Sequence, residues 1–431
     1  MRTINLPKLG GMPANVTGIL PLAALIDFTD PEHILHFYQL SGRGVAWNWV
    51  ITPACARLIL SHDGTGACCL DEGSAVPPLM CLDGRWGDLY HCSNPSTIRA
   101  CIEVAAPERI QIDPLSPEQN PVQLQGSQLQ LLRLQRVQSQ PVRLQRVQSQ
   151  LLRPQRVQPQ PLRPQRLRII LLSPAESTFW DSVLYGTITL VSGLVFFATL
   201  VTTVLAKLYL ATSYLIVVLL TGVVIRASYG CHARQISEQM PPLFRRLVVV
   251  ADNFNEDEWT AFIGPNMVLN PLLNKPLQQI NPPTPLRLWQ LQWVLFTLVA
   301  LQWGLTIIVS GYQDWNAVVV FAWIALCALT SSFLYSEHWS TKWWLDRNGL
   351  RLKRMDVELS FQRSMLSLLV ALNPDTIHTS SGQKWIDPIL APSDEDRIKW
   401  EKALLGCLQK DGWDERIRAC YDSGLLFHPC C

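Results

Sequence analysis

"SVLYGTITLVSGLVFFATLVTTVLAKLYLATSYLIVVLLTGVVI", residues 182 to 225, decides the fold. Read as one straight helix it would be about 66 Å long, at about 1.5 Å per residue. A bilayer's hydrocarbon core is about 30 Å thick and needs about 20 helical residues. Lys207 is the only charged residue in the stretch, and it falls where the chain must turn back. Residues 182 to 206 and 208 to 225 are therefore expected to form a transmembrane hairpin. Further along, residues 289 to 310 and 315 to 335 are a second pair of apolar runs, separated by "GYQD" at 311 to 314. The fold expected is a mainly α membrane protein with four transmembrane helices arranged as two hairpins.

The flanking charges give the orientation, because cationic loops are retained in the cytoplasm. Arg163, Arg166, Arg168, Arg226, Arg234, Arg245, Arg246, Lys275, Arg287, Lys342, Arg347, Arg351, Lys353 and Arg354 lie on one presumed side; the two tips have Lys207 as their only cation. Both termini and the central loop are expected in the cytosol. Trp180, Trp289, Trp293, Tyr312, Trp315, Trp339 and Trp343 sit near the span ends, where amphipathic rings favour the headgroup layer.

Composition agrees. The 431-residue chain is 48% hydrophobic, high for a soluble protein. Its 36 basic and 34 acidic residues nearly cancel, which offers no global attraction for nucleic acid. An early "ILPLAALI" resembles a signal sequence, but Pro21 interrupts it and no small-residue cleavage site follows.

Before the first span, residues 132 to 169 contain nearly four copies of an Arg/Gln decamer, "LRLQRVQSQP" and its variants. Three helical turns take about 10.8 residues, so a ten-residue period lets the apolar positions drift around a helix. Repeated prolines disfavour helix further. Residues 116 to 175 are therefore expected as a disordered basic linker. Between Glu118 and Glu176 there is no Asp, Glu or Lys, and Arg163, Arg166 and Arg168 lie nearest the membrane. Those three are candidates for contact with anionic lipid headgroups. The alternative is a tandem expansion that a linker tolerates cheaply. Without aromatic residues to stack on bases, the segment is a poor RNA binder.

The remaining segments are expected as small cytosolic α+β units: a loop-rich domain over 1 to 115, a central loop over 226 to 288 and a tail over 336 to 431. In the first, "DPEHILHFYQL" from 30 has a cap at Asp30 and Pro31 at the first helical position, and it makes neighbours of His33 and His36. "VAWNWVITPACARLILSHDG" from 45 looks strand-rich, and "CLDEG" at 69 recurs as "CLDG" at 81, which points to two strands with related turns. Cys55, Cys68, Cys69, Cys81, Cys92 and Cys101 include no CxxC pair, and a zinc site with His62 or His91 is the weaker reading. In the loop, "RRLVVVADN" and "TAFIG" read as strands and "NMVLNPLLNKPL" as a helix. In the tail, "GLRLKRMDVELS" alternates as a strand, while "FQRSMLSLLVALN" and "PSDEDRIKWEKALLGCLQ" have helical spacing.

"RRLVVVADNFNEDEWTAFIGPNMVLNPLLNKPL" and "KWIDPILAPSDEDRIKWEKAL", on either side of the second pair of spans, resemble an uncharacterised family of multi-pass membrane proteins from filamentous fungi. The resemblance covers the chain from about residue 175 onward and implies the same architecture without supplying catalytic residues.

No nucleophile elbow, phosphate loop, dinucleotide fingerprint or HExxH helix occurs. The spans carry no Asp, Glu, Lys, Arg or His, the residues that mark ion-coupled transport. Gln302 is read as an interhelical contact. Terminal Cys430 and Cys431 resemble a dual lipidation site, although four spans gain little from further anchoring. No catalytic residue, cofactor or metal is assigned. The expected function is a non-enzymatic membrane-anchored interaction or scaffold protein, with the lipid bilayer and unknown proteins as partners. The alternatives are a channel or transporter for a neutral or lipid-like solute, and a thiol- or metal-dependent enzyme in the amino-terminal domain.

Overall fold

The computed structural model describes residues 30–61, 68–72, 77–107, 165–174, 179–236, 244–280, 283–312, 314–359, 362–373, 384–389 and 395–408. His62, Arg163, the decamers up to residue 164, Cys430 and Cys431 lie outside the described residues.

Helix α1 (Pro31–Ser41) begins as its sequence dictates, with the Asp30 carboxylate accepting the Glu32 and His33 N–H groups. It stops at Gly42, whose φ of 63° suits glycine. The stretch read as strands from residue 45 forms none. It is a 3-10 turn (Ala46–Asn48) followed by α2 (Pro53–Ser61). Thr52 caps α2 by accepting the Cys55 N–H, and buried Cys55, Ala56 and Ile59 share a helical face. "CLDE" is likewise a single helical turn, α3 (Cys69–Glu72), and only its echo at 81 is a strand, within β1 (Met80–Asp83). Strand β2 (Leu89–His91), helix α4 (Pro95–Val104) and strand β3 (Ala106–Pro107) follow.

The last part of the segment expected as linker is also a strand, β4 (Gln165–Pro174). Its alternating Arg166, Leu167, Arg168, Ile169 sends cations to one face and aliphatic side chains to the other.

Helices α5 (Phe179–Leu205) and α6 (Tyr209–Tyr229) come next, separated by a turn at Lys207 with φ 60°. Strands β5 (Arg245–Ala251) and β6 (Glu258–Pro265) lead to α7 (Asn266–Asn274), then to α8 (Pro285–Tyr312) and α9 (Trp315–Leu334). The tail contributes α10 (Glu337–Arg347), β7 (Leu350–Leu359), α11 (Gln362–Leu372) and α12 (Glu395–Leu408). Four helices are long and apolar enough to cross a membrane, over Tyr185–Leu205, Tyr209–Tyr229, Pro285–Tyr312 and Trp315–Leu334. They mark the chain as a membrane protein.

Outside these helices the strands form one mixed sheet, in the order β2-β1-β5-β6-β4-β7-β3. Strand β4 runs parallel to β6, with Arg166 opposite Glu258, and antiparallel to β7, with Ile169 opposite Met355. Segments from the amino-terminal part, the end of the expected linker, the central loop and the tail thus share a single sheet. Its central strands are buried on both faces, which explains the unbroken "LVVVA" of β5. Val248 and Val250 join Ile170, Leu172, Leu350 and Leu352 on the face covered by the amino-terminal helices and the ends of the long helices. Leu247 and Val249 join Leu167, Ile169 and Val357 on the opposite face, under α11 and Trp400 of α12.

One buried ion pair locks this sheet to the helix after β6. The Arg246 guanidinium donates to both oxygens of Asp83, and its Nη1 reaches Asn266 Oδ1 at 3.0 Å. Removing one member of such a pair leaves the other charge stranded, at a cost of about 3–5 kcal/mol.

Candidate functional site

The four long helices hold a piece of chain that precedes them. Residues 45–51, "VAWNWVI", enter among them, and neighbouring side chains show how this irregular backbone is accommodated. Ala46 lies against Gly222 of α6 so closely that a Cβ there would sit 1.7 Å from the Ala46 carbonyl oxygen. Gly222 is seven positions from Tyr229, the end of its helix, so the insertion reaches about 10 Å along it.

Irregular backbone at such a depth is tolerated only where protein satisfies its polar groups. Here the long helices do so. Gln302 Oε1 accepts the Ile51 N–H at 3.2 Å, and its Nε2 donates to the Trp49 carbonyl at 3.3 Å and to Thr221 Oγ1 at 2.8 Å. Trp303 Nε1 donates to the Ile51 carbonyl at 2.9 Å. Asn48 accepts from Thr330 Oγ1 at 2.7 Å and donates to Ser331 Oγ at 2.8 Å. Gln302 thus makes the interhelical contact read from sequence and also fastens the inserted segment. The polar residues of α8 and α9 are a receptor for residues 45–51.

Beside this wedge is a cavity of about 310 Å³ between α5 and α9, at the lower end of the range for ligand pockets, about 300–1,000 Å³. Trp47, Ile188, Val191, Val195, Trp323 and Leu326 form most of its apolar lining, with Asn48, Thr187, Ser192 and Thr330 as its polar members. Phe196 stacks on Trp47 at 5.9 Å and meets Trp323 edge-on at 5.3 Å, bracing the two indoles. Neither indole N–H has a hydrogen-bond partner, although Trp323 is only 4% exposed. Buried indoles usually find an acceptor.

A second cluster lies in the extramembrane part. His36, Cys68 and Asp71 bring one donor atom each within 4.8 Å of one another, one fewer than a closed zinc site requires. The His36 and Asp71 atoms are already occupied. Asp71 Oδ1 accepts the Ser96 and Thr97 N–H groups at 2.8 and 3.2 Å, and its Oδ2 accepts the Thr97 hydroxyl at 2.7 Å. His36 Nδ1 accepts the Leu70 N–H at 3.3 Å, which assigns the ring proton to Nε2, facing Thr97 Oγ1 at 3.4 Å. A metal would have to displace the start of α4.

Burial sets the protonation of this clasp. It lowers the His36 imidazole to about 3, with His33 adding to the effect. It raises the Asp71 carboxyl to about 6, against the hydrogen bonds from Thr97 and Ser96 that draw it down. Cys68 and Cys101 are pushed upward by burial, and Cys69 is raised to about 12 by the same cause. Such thiols stay protonated and are poor nucleophiles.

Arg166 and Arg168, candidates for headgroup contact, lie on β4 and pair with carboxylates. Arg166 reaches Glu258 at 3.3 Å and Glu358 at 3.5 Å, and Arg168 reaches Glu258 at 3.2 Å. The His36 clasp and the Trp47–Trp323 cavity escaped sequence reading because their members come from distant segments. The aromatic "AWNW" and the polar Gln302 were the available signals.

Compared with known proteins, the chain matches no family model, no curated protein and no solved structure. Architecture and chemistry therefore carry the functional argument.

Proposed function

We propose that the chain is an integral membrane protein of two helical hairpins whose extramembrane sheet faces the cytosol and serves, without catalysis, as an interaction platform. The observation that carries this reading is the strand order. Strand β4 precedes the first long helix, β5 and β6 lie between the second and third, and β7 follows the fourth, yet all four are neighbours in one sheet. Hydrogen-bonded strands share one side of a membrane, which supports a reading in which each pair of long helices crosses and returns. The cationic residues near the sheet, Arg226, Arg245, Arg287 and Arg347 among them, support the cytosol as that side.

The platform offers a partner the β1–β2 turn at the sheet's edge. Trp86 there is 66% exposed and Leu89 is 45% exposed, with the Arg85 guanidinium 5.2 Å from the Trp86 ring centroid. Exposed Trp and Arg are the residue types that dominate protein interfaces. The raised thiols of the amino-terminal part weigh against a cysteine-dependent reaction.

The test is affinity purification in mild detergent of the wild-type chain and of Trp86→Ala. A reproducible partner recovered by the first and lost by the second is the expected result. Recovery of no partner by the wild type would overturn the platform reading. A glycosylation acceptor placed at the Lys207 turn and another in the β1–β2 turn should be modified only at Lys207; the reverse pattern would overturn the orientation.

A further inference from the structure

We propose that the cleft at the start of α8, lined by Leu60, Trp289, Gln292, Trp293 and Phe296, is a binding site for the trimethylammonium group of a phosphatidylcholine headgroup, held by cation–π attraction. Three observations choose that occupant over an acyl chain of the surrounding bilayer.

The first is depth. Helix α8 has 28 residues and is about 42 Å long at about 1.5 Å per residue, which is about 12 Å more than a hydrocarbon core of about 30 Å. About 20 residues, the number that crosses that core, reach Trp293 when counted back from Tyr312 at the helix's far end. The cleft therefore lies where the headgroups begin. Acyl chains belong to the layer beyond it.

The second is shape. The cleft measures about 260 Å³, and Trp289, Trp293 and Phe296 follow one another at spacings of four and three residues, on one face of the helix. The Trp293 ring lies 6.0 Å from that of Trp289 and 6.3 Å from that of Phe296, each pair inclined at 74°. Steeply inclined rings can meet a rounded cation on more than one side, as an aromatic cage does. Leu60 of α2 closes the cleft, placed by the Tyr229 hydroxyl, which donates to the carbonyl of neighbouring Ile59 at 2.8 Å. The three rings are 58%, 58% and 54% exposed, so no part of the chain fills the site.

The third is charge. No Asp, Glu, Lys, Arg or His lines the cleft, and an aromatic face is electrically negative, so it attracts a cation and repels a phosphate. Two other tryptophans near span ends already have a cation from the chain: Lys342 stands over Trp339 at 5.5 Å and Arg43 over Trp343 at 4.7 Å. Among the described residues no cation stands over Trp289 or Trp293. A primary ammonium, as in phosphatidylethanolamine, has three N–H donors to satisfy, and the Gln292 side chain has a single carbonyl to offer. A quaternary ammonium has no donor and leaves water at lower cost. The site uses no residue of the β1–β2 turn and stands whichever side of the membrane the sheet occupies.

The test is native mass spectrometry of the full-length protein in detergent, with dioleoyl phosphatidylcholine and dioleoyl phosphatidylethanolamine added in equal amounts. Their acyl chains are identical, so any preference reports the headgroup. The wild type should retain phosphatidylcholine about tenfold better. Trp293→Leu keeps an apolar side chain and removes the π face; it should bring the ratio close to one without lowering the total lipid retained. Trp293→Phe should keep part of the preference, and Tyr312→Leu, at the opposite end of the helix, all of it. Equal retention of the two lipids by the wild type would mean annular lipid only and would overturn the proposal. So would a full preference in the Trp289→Leu/Trp293→Leu double variant, which would locate the choline elsewhere. Soluble phosphocholine should compete only weakly; displacement at the lipid's own concentration would make the occupant a soluble ester and overturn the lipid assignment.

Discussion

The candidate spans in α5 and α6 are alike by every measure a sequence offers. Each has 21 residues, with mean hydropathy 2.2 and 2.0, yet 17% of the first window and 44% of the second is buried within the protein. The difference lies in what docks against them. Helix α6 meets the inserted backbone at Gly222 and supplies Thr221 to Gln302; α5 meets mainly aromatic rings through Phe196 and Gly193. Apolar length places a helix in lipid, and small residues beside polar partners decide which helix becomes the centre of the bundle.

The comparison breaks most visibly at its glycines. Gly222→Val sets a branched side chain against the Ala46 carbonyl and should expel residues 45–51, with a loss of at least about 3 kcal/mol. The readout is thermal unfolding in detergent, together with new protease cleavage near Trp47. A variant that melts like wild type would show that the wedge does not hold α6.

Gln302→Leu should cost about 2 kcal/mol, because the Ile51 N–H and Trp49 carbonyl lose their partner where no water replaces it. The same melting assay applies, and an unchanged midpoint would remove Gln302 from the receptor.

Acid offers a third test, through the clasp that secures the amino-terminal helices. His36 is held neutral, so its contribution is complete above the unfolded pKa of about 6.5 and is lost as pH falls toward about 3. Asp71 works in the opposite sense: its raised pKa means that acidification from about 6 toward about 4 favours the folded state. The two nearly cancel between pH 6 and 4. Asp71→Asn should therefore expose the His36 loss, on the order of 2 kcal/mol from pH 6.5 to 5, and His36→Gln should instead gain stability over that interval. Parallel melting curves for both variants across that range would contradict this account.

The smallest effect belongs to Gly186 of α5, where nothing lies within 4 Å of an added Cβ. Gly186→Ala should shift stability by no more than about 0.5 kcal/mol. A large loss there would mean that α5 packs against something the chain does not itself provide.

How much of this was legible in the sequence depended on the range of the causes. The four long helices follow from runs of apolar residues, a local property, and their ends were close to those expected. The caps at Asp30 and Pro31, and the strands through "LVVVA" and "RLKRMDVEL", were legible for the same reason. Strand β4 was missed because the decamer repeat drew attention to its ten-residue period, while the two-residue alternation of Arg166 to Ile169 was visible at its end. Residues 45–51 were misread because β-branched and aromatic content marks a buried surface without specifying strand or turn. Their conformation is set by Gln302 and Thr330, more than 250 positions away. Gly222 and Gly186 are indistinguishable until one of them touches Ala46.

The strand order also bears on how the chain is made. Strand β7, from the last quarter of the polypeptide, hydrogen-bonds along the whole length of β4, which emerges before any long helix. Until β7 is synthesised, β4 has an open edge, a template for wrong pairing. A message truncated after the fourth helix would insert normally and still yield a product with that edge bare, which cellular quality control can recognise.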